Sequence, residues 1–118
     1  MGRILVADDE EDVTRLIRRV LEGMGHQVVL AANGMDTLKL GMSETFDLYV
    51  FDVRMPRLDG YSLCRSITQK FPGRKVILIT GLDVQKYEAM AKVSGAATTI
   101  AKPFDAEQFK KAVQPFLP

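Results

Sequence analysis

The residue types able to do chemistry fall at five places in the sequence. Asp8 and Asp9 stand together after Ile4-Leu5-Val6-Ala7. Asp52 closes Leu48-Tyr49-Val50-Phe51. Thr80 and Gly81 follow Val76-Ile77-Leu78-Ile79, and Lys102, with Pro103 behind it, follows Thr98-Thr99-Ile100-Ala101. Carboxylates brought together raise one another's pKa, and a hard divalent cation relieves that conflict. Oxygen ligands in an incomplete protein cage suit Mg²⁺ (or Mn²⁺), which keeps waters and shares phosphate oxygens. Lys102 and Thr80 are poor ligands for such a metal but good donors to an anion. A phosphoryl group held between metal, ammonium and hydroxyl has its charge neutralised on several sides. A carboxylate can also be the nucleophile that accepts that group as an acyl phosphate. Asp52, central among these residues, is the expected acceptor.

These residues need a frame that brings them together. The five apolar runs are short, and most are rich in β-branched residues, which reads as strands buried on both faces of a parallel sheet. Helical spacing fills the gaps between them. Val13, Leu16, Ile17, Val20, Leu21 and Met24 share one face, with Glu10, Glu11 and Asp12 in the first turn and Gly23 and Gly25 as the stop. Asn33 caps a second helix with Met35, Leu38 and Met42 inward. A third spans Leu58 to Lys70 and ends at Phe71-Pro72-Gly73. Asp83 caps a fourth, with Val84, Tyr87, Met90 and Ala91 inward. Asp105 caps a fifth, with Phe109, Ala112, Val113 and Phe116 inward. The expectation is an α/β (βα)5 fold, a doubly wound five-stranded parallel sheet with helices on both faces. Ligands in such sheets bind beyond the carboxyl ends of the strands, the edge that would carry Asp8, Asp9, Asp52, Thr80 and Lys102.

The bulk properties narrow the class. A chain of 118 residues suits one domain, 1–118, and no repeat, linker or output domain is evident. The net charge of +1 exerts no global pull toward nucleic acid or an anionic membrane. No apolar run nears the roughly 18 residues of a spanning helix, no signal peptide is recognisable, and a cytoplasmic location is expected. The single cysteine, Cys64, excludes an internal disulfide and reads as a buried thiol. His26, the only histidine, is expected on the surface, away from the chemical edge.

The pattern resembles the receiver domain of two-component response regulators over essentially the whole chain. The residues that carry the resemblance are Ile4-Leu5-Val6-Ala7-Asp8-Asp9-Glu10, Asp52-Val53-Arg54-Met55-Pro56-Arg57-Leu58-Asp59-Gly60, Ile79-Thr80-Gly81, Gly95-Ala96 and Lys102-Pro103-Phe104. The resemblance implies the flavodoxin-like strand order 2-1-3-4-5. It implies that Asp52 accepts a phosphoryl group from a sensor histidine kinase or phosphotransfer protein. Asp9 and Asp52 would bind Mg²⁺ with the backbone carbonyl of Arg54, and Asp8 would act through a metal-bound water. Lys102 would pair with the phosphoryl group, Thr80 would swing toward it, and the Lys102–Pro103 peptide would be cis. Met55-Pro56 and Asp59-Gly60 would shape the loop after the acceptor. The implied activity is a signalling switch with no enzyme chemistry beyond Mg-dependent self-phosphorylation and autodephosphorylation, read out by a downstream protein or by an output domain missing from this sequence.

Thr99 departs from the pattern. The family usually places Tyr or Phe three residues before the lysine, where the aromatic turns inward on activation. Either Tyr87 or Phe104 takes over that part, or the response at the output face is muted. A pseudo-receiver binding module is thus one alternative, although the acidic residues and the lysine are all present. An aspartate-nucleophile phosphohydrolase would want a second Asp where Arg54 stands. A flavin-binding protein would want a hydroxyl-rich phosphate loop in place of Asp8 and Asp9. Blander readings make Asp8 and Asp9 a solvated helix-capping turn, Asp52 a helix cap, Thr80 a turn residue and Lys102 an exposed lysine. Glu10 stands near the expected metal, and Arg54 and Leu82 stand near the expected phosphate, where they would tune its hydrolysis.

Overall fold

The structure, a computed structural model, describes residues 2–55, 58–81 and 84–118, with the backbone alone at 84–87. Among these residues strands and helices alternate: β1 (Arg3–Ala7), α1 (Glu11–Gly23), β2 (Gln27–Ala31), α2 (Gly34–Ser43), β3 (Leu48–Asp52), α3 (Gly60–Lys70), β4 (Lys75–Thr80), α4 (Val84–Ser94), β5 (Thr98–Ala101) and α5 (Ala106–Val113). The strands form one parallel sheet in the order β2-β1-β3-β4-β5, as the resemblance implied.

Side chains alternate across the sheet and divide the core into two layers. Leu5, Ala7, Tyr49, Phe51, Val76 and Leu78 pack with Leu63, Cys64 and Ile67 of α3. Ile4, Val6, Leu48, Val50, Ile77 and Ile79 pack with Ile17 and Leu21 of α1 and with Phe109 and Val113 of α5. Both faces of β1, β3 and β4 are therefore covered, apart from Arg3 and Lys75 at the strand starts. The edge strands depart from the expected double burial. Leu30 of β2 is 39% exposed, and β5 is only partly covered, because an edge strand has a neighbour on one side alone.

The helix caps at Asn33, Asp59 and Asp105 all form. Asn33 Oδ1 accepts from Asp36 N at 2.9 Å, Asp59 Oδ1 from Ser62 N at 2.9 Å, and Asp105 closes a reciprocal capping box with Gln108. With Asp59 as cap, α3 begins at Gly60 rather than at Leu58. The expected cap Asp83, and Pro56 and Leu82, lie outside the described residues. At the end of α1, Gly25 takes a left-handed φ of 92°. Its amide donates to Glu22 O at 3.0 Å and that of His26 to Leu21 O at 3.0 Å, which closes the last turn.

Leu38 and Met42 of α2 and Ala91 of α4 pack inward as expected, but one methionine on each helix does not. Met35 is 47% and Met90 50% exposed, not inward. In α2 the buried positions are Gly34, Thr37 and Gly41, where a Cβ on Gly41 would strike Ile67 Cδ1 of α3. In α4 they include Ala91 and Ser94, and the Ser94 hydroxyl bonds Met90 O and Ala91 O, each at 2.9 Å. Small residues at these positions let backbones approach closely. Cys64 is buried as expected, and burial pushes its thiol up to about 11, against a smaller lowering from the Ser94 side chain. His26 is half-buried rather than on the surface, and its Nδ1 accepts the Gly2 amide at 3.0 Å. No helix among the described residues is long and apolar enough to cross a membrane.

Candidate functional site

The sheet register decides which side chains meet. Ala7 lies opposite Phe51, Asp52 opposite Ile79, and Thr80 opposite Ala101. One step further along, Asp8, Asp52 and Lys102 emerge together at the carboxyl edge. Asp8 is 4% exposed, and its Oδ1 accepts the Glu10 amide at 2.8 Å, which turns the chain into α1. Asp9 is exposed.

Asp52 ends β3 with 4% exposure. The loop behind it is tied down at Val53, whose amide donates to Ile79 O at 2.9 Å and whose carbonyl accepts from Gly60 N at 3.0 Å. Glycine is required at 60, because a Cβ there would fall on the carbonyl oxygen of Asp52. The Arg54 amide donates to Asp52 Oδ1 at 3.3 Å. Asp52 is thus no helix cap, since Asp59 fills that role for α3.

Lys102 is anchored by its own amide, which donates to Thr80 O at 2.8 Å, and the Lys102–Pro103 peptide is cis. Its side chain is only 15% exposed, unlike an ordinary surface lysine. Nζ lies 3.0 Å from Asp52 Oδ2 and 3.0 Å from Glu10 Oε1. It also stands 3.1 Å from Asp8 Oδ2, but poorly directed, so that this buried oxygen has no aligned donor among the described residues. Burial raises the Asp8 pKa from 3.8 to about 6, reinforced by Asp52 and opposed by the Glu10 amide and Lys102. Burial alone would lower the Lys102 pKa, but bonds to Asp52, Glu10 and Asp8 outweigh it and hold the ammonium well above its usual range.

A cavity of about 240 Å³ opens over this cluster, lined by Asp9, Glu10, Asp52, Arg54, Gly81 and Lys102. Thr80, 3% exposed at the end of β4, directly precedes Gly81 of the cavity lining. The sequence-predicted residues Asp8, Asp9, Asp52 and Lys102 are therefore brought together, Arg54 borders them, and Thr80 is tied to them through the Lys102 amide. Glu10, which the sequence placed only near the metal, is an integral member through its bond to Lys102. A signal existed in its position. Glu10 is the N-cap of α1, where Ser, Thr, Asp or Asn is preferred, and its side chain makes no cap bond.

The donor set fits a hard divalent cation. Asp8, Asp9, Glu10 and Asp52 each offer a carboxylate oxygen, all within 4.8 Å of one another. One ammonium does not balance four carboxylates, and the undirected Asp8 Oδ2 leaves an acceptor to be satisfied. At the switch position Thr99 is half-buried on β5. The Phe104 ring is stacked on Phe109 at 5.5 Å, and the Tyr87 side chain lies outside the described residues.

Comparison with known proteins agrees with this geometry. Residues 4–114 match the family described as response regulator receiver domain. The chain is 32% identical over 115 residues to the alkaline phosphatase synthesis transcriptional regulatory protein PhoP of Bacillus subtilis, covering 98% of this chain and 48% of PhoP. It is 31% identical over 116 residues to sporulation initiation phosphotransferase F of the same organism, covering 98% and 94%. The BeF3-activated receiver domain of DrrB, a Thermotoga maritima protein, superimposes with a TM-score of 0.90 at 30% identity, covering 98% of this chain and 97% of that one. The chain spans about half the length of most of the curated relatives it matches. With the match running through both core layers and the acidic edge, the chain belongs to the response regulator receiver domain family.

Proposed function

We propose that this domain is a phosphorylation-dependent switch in which Asp52 accepts a phosphoryl group from a histidine kinase or phosphotransfer protein. The observation that carries the reading is the 3.0 Å contact of Lys102 Nζ with the buried Asp52 carboxylate, beside the acidic edge formed by Asp8 and Asp9. Asp9 and Asp52, with the Arg54 carbonyl, would hold Mg²⁺, and Asp8 would hold it through a water. The cation supplies charge neutralisation to the phosphoryl oxygens when bound. The rest falls to the protein's own side chains. A carboxylate oxygen of Asp52 attacks phosphorus, the bond from phosphorus to the donor's nitrogen breaks, and the nitrogen leaves with the electron pair. Lys102 turns its N–H groups from carboxylate to phosphoryl oxygens. Thr80 reports the event by turning its hydroxyl toward the new group.

Membership in the family supports this reading, as does the activation of the similar DrrB receiver domain by a beryllofluoride group. The readout would pass to a downstream protein or to an output domain such as the greater length of PhoP leaves room for. Thr99 favours muted transmission, since Phe104 is already committed to stacking on Phe109. Incubation with Mg²⁺ and acetyl phosphate tests the chemistry. The mass should rise by one phosphoryl group in the wild type and not in Asp52→Asn. An unmodified wild type, or a modified Asp52→Asn, would overturn the reading.

A further inference from the structure

Lys102 meets more carboxylates than it can keep. An ammonium has three N–H donors, and Nζ already donates to Glu10 Oε1 at 3.0 Å, to Asp52 Oδ2 at 3.0 Å and, more weakly, to Asp8 Oδ1 at 3.5 Å. To hold a phosphoryl oxygen it must release one of them. Asp8 and Asp52 are fixed at strand ends, with side chains 0% and 5% exposed, whereas the Glu10 side chain is 61% exposed. Glu10 is the partner free to leave. Its side chain also forgoes the capping bond that its position at the start of α1 offers, and reaches to Lys102 instead. A residue that breaks a local rule and gains a contact in the site marks a functional compromise.

We propose that Glu10 is a removable counter-ion for Lys102, occupying the ammonium in the resting site and competing with phosphoryl oxygens for it. The inference rests on the phosphoacceptor reading of the site and adds a regulator to it. Glu10 is a positioning residue, since it acts through Lys102 and not on the phosphoryl group. Its carboxylate lowers the affinity of the site for a phosphoryl group, so the residue sets how readily the switch is occupied.

The test is equilibrium binding of beryllofluoride, the phosphoryl mimic, to the whole chain at saturating Mg²⁺, followed by calorimetry. Glu10→Gln and Glu10→Ala should both bind it about two- to fivefold more tightly than the wild type, the change that one largely exposed ion pair corresponds to. Both variants should fold, because the Glu10 side chain makes no cap bond. Glu11→Gln removes the same charge from the same helical turn, but Glu11 pairs with Arg15 and its side chain is 87% exposed. That variant should bind like the wild type. Equal or weaker binding by the Glu10 variants, or the same gain in Glu11→Gln, would overturn the proposal and leave the phosphoacceptor reading standing. A wild type that binds no beryllofluoride would instead overturn the phosphoacceptor reading and this proposal with it.

Discussion

Asp8 ties the stability of the domain to pH with a definite sign. Its carboxyl is raised to about 6 in the fold from an ordinary 3.8, chiefly by burial. Between those values the folded chain holds a proton that the unfolded chain has lost, so the Asp8 contribution to stability falls as pH rises. Asp8→Asn keeps an oxygen for the Glu10 amide and stays neutral. Without metal, its melting temperature relative to wild type should therefore climb between pH 4 and 6 and then level off. A difference that does not vary with pH would contradict the burial argument. Lys102 gives a second expectation. Lys102→Gln leaves Asp8 and Asp52 without their cation, which should destabilise the metal-free domain by about 1–3 kcal/mol in denaturant titration. Mg²⁺ should bind this variant more tightly, because ammonium and metal compete for the same oxygens, while phosphorylation should fall. Asp8, Asp52 and Lys102 were legible in the sequence because each follows a recognisable strand. Glu10 was not fully so, because only the fold reveals that its side chain leaves the helix end for Lys102.

At the scale of the elements, the apolar runs marked the strands because parallel strands at the centre of a sheet bury both faces. The helix phases were less legible. Leu38, Met42 and Ala91 pack inward as periodicity suggested, but Met35 and Met90 do not, and Gly34, Thr37, Gly41 and Ser94 are buried as well. Hydrophobicity marks a face less sharply where glycine, threonine and serine share the contact with large side chains. Gly60 carries the corresponding prediction. Gly60→Ala places a methyl group against the backbone of Asp52 and Val53, so it should cost about 1–3 kcal/mol by overpacking, measured by denaturant midpoint. It should also reduce phosphorylation, since the acceptor strand end would have to shift. Asp105→Ala is a milder counterpart that removes the cap of α5. It should cost about 1 kcal/mol.

On the scale of the whole molecule, the proposed acceptor edge and β5 are joined through the ends of β4 and β5. Lys102 N bonds Thr80 O at 2.8 Å, and Thr80 lies opposite Ala101. A change at Thr80 therefore reaches β5 directly. Thr99 is half-buried and Phe104 is stacked on Phe109, so neither of these described residues offers a free ring to carry that change across β5. Hydrogen exchange should therefore respond to Mg²⁺ with beryllofluoride at the carboxyl ends of β4 and β5 and change little along α5. A broad change over α5 would show that Thr99 does not limit transmission.

Cys64 turns the same architecture into its own clock. The thiol is the only one in the sequence, lies at 0% exposure between α3 and the sheet, and is raised to about 11. Little thiolate exists at neutral pH and no reagent can reach it in the closed fold. Alkylation must wait for an opening that parts α3 from its neighbours, so the rate of modification counts openings without any introduced probe. A ligand that binds only the closed form slows that count by the factor 1 + [L]/Kd. Occupancy of the acidic edge thus becomes readable, in the native chain, from a sulfur atom in the core.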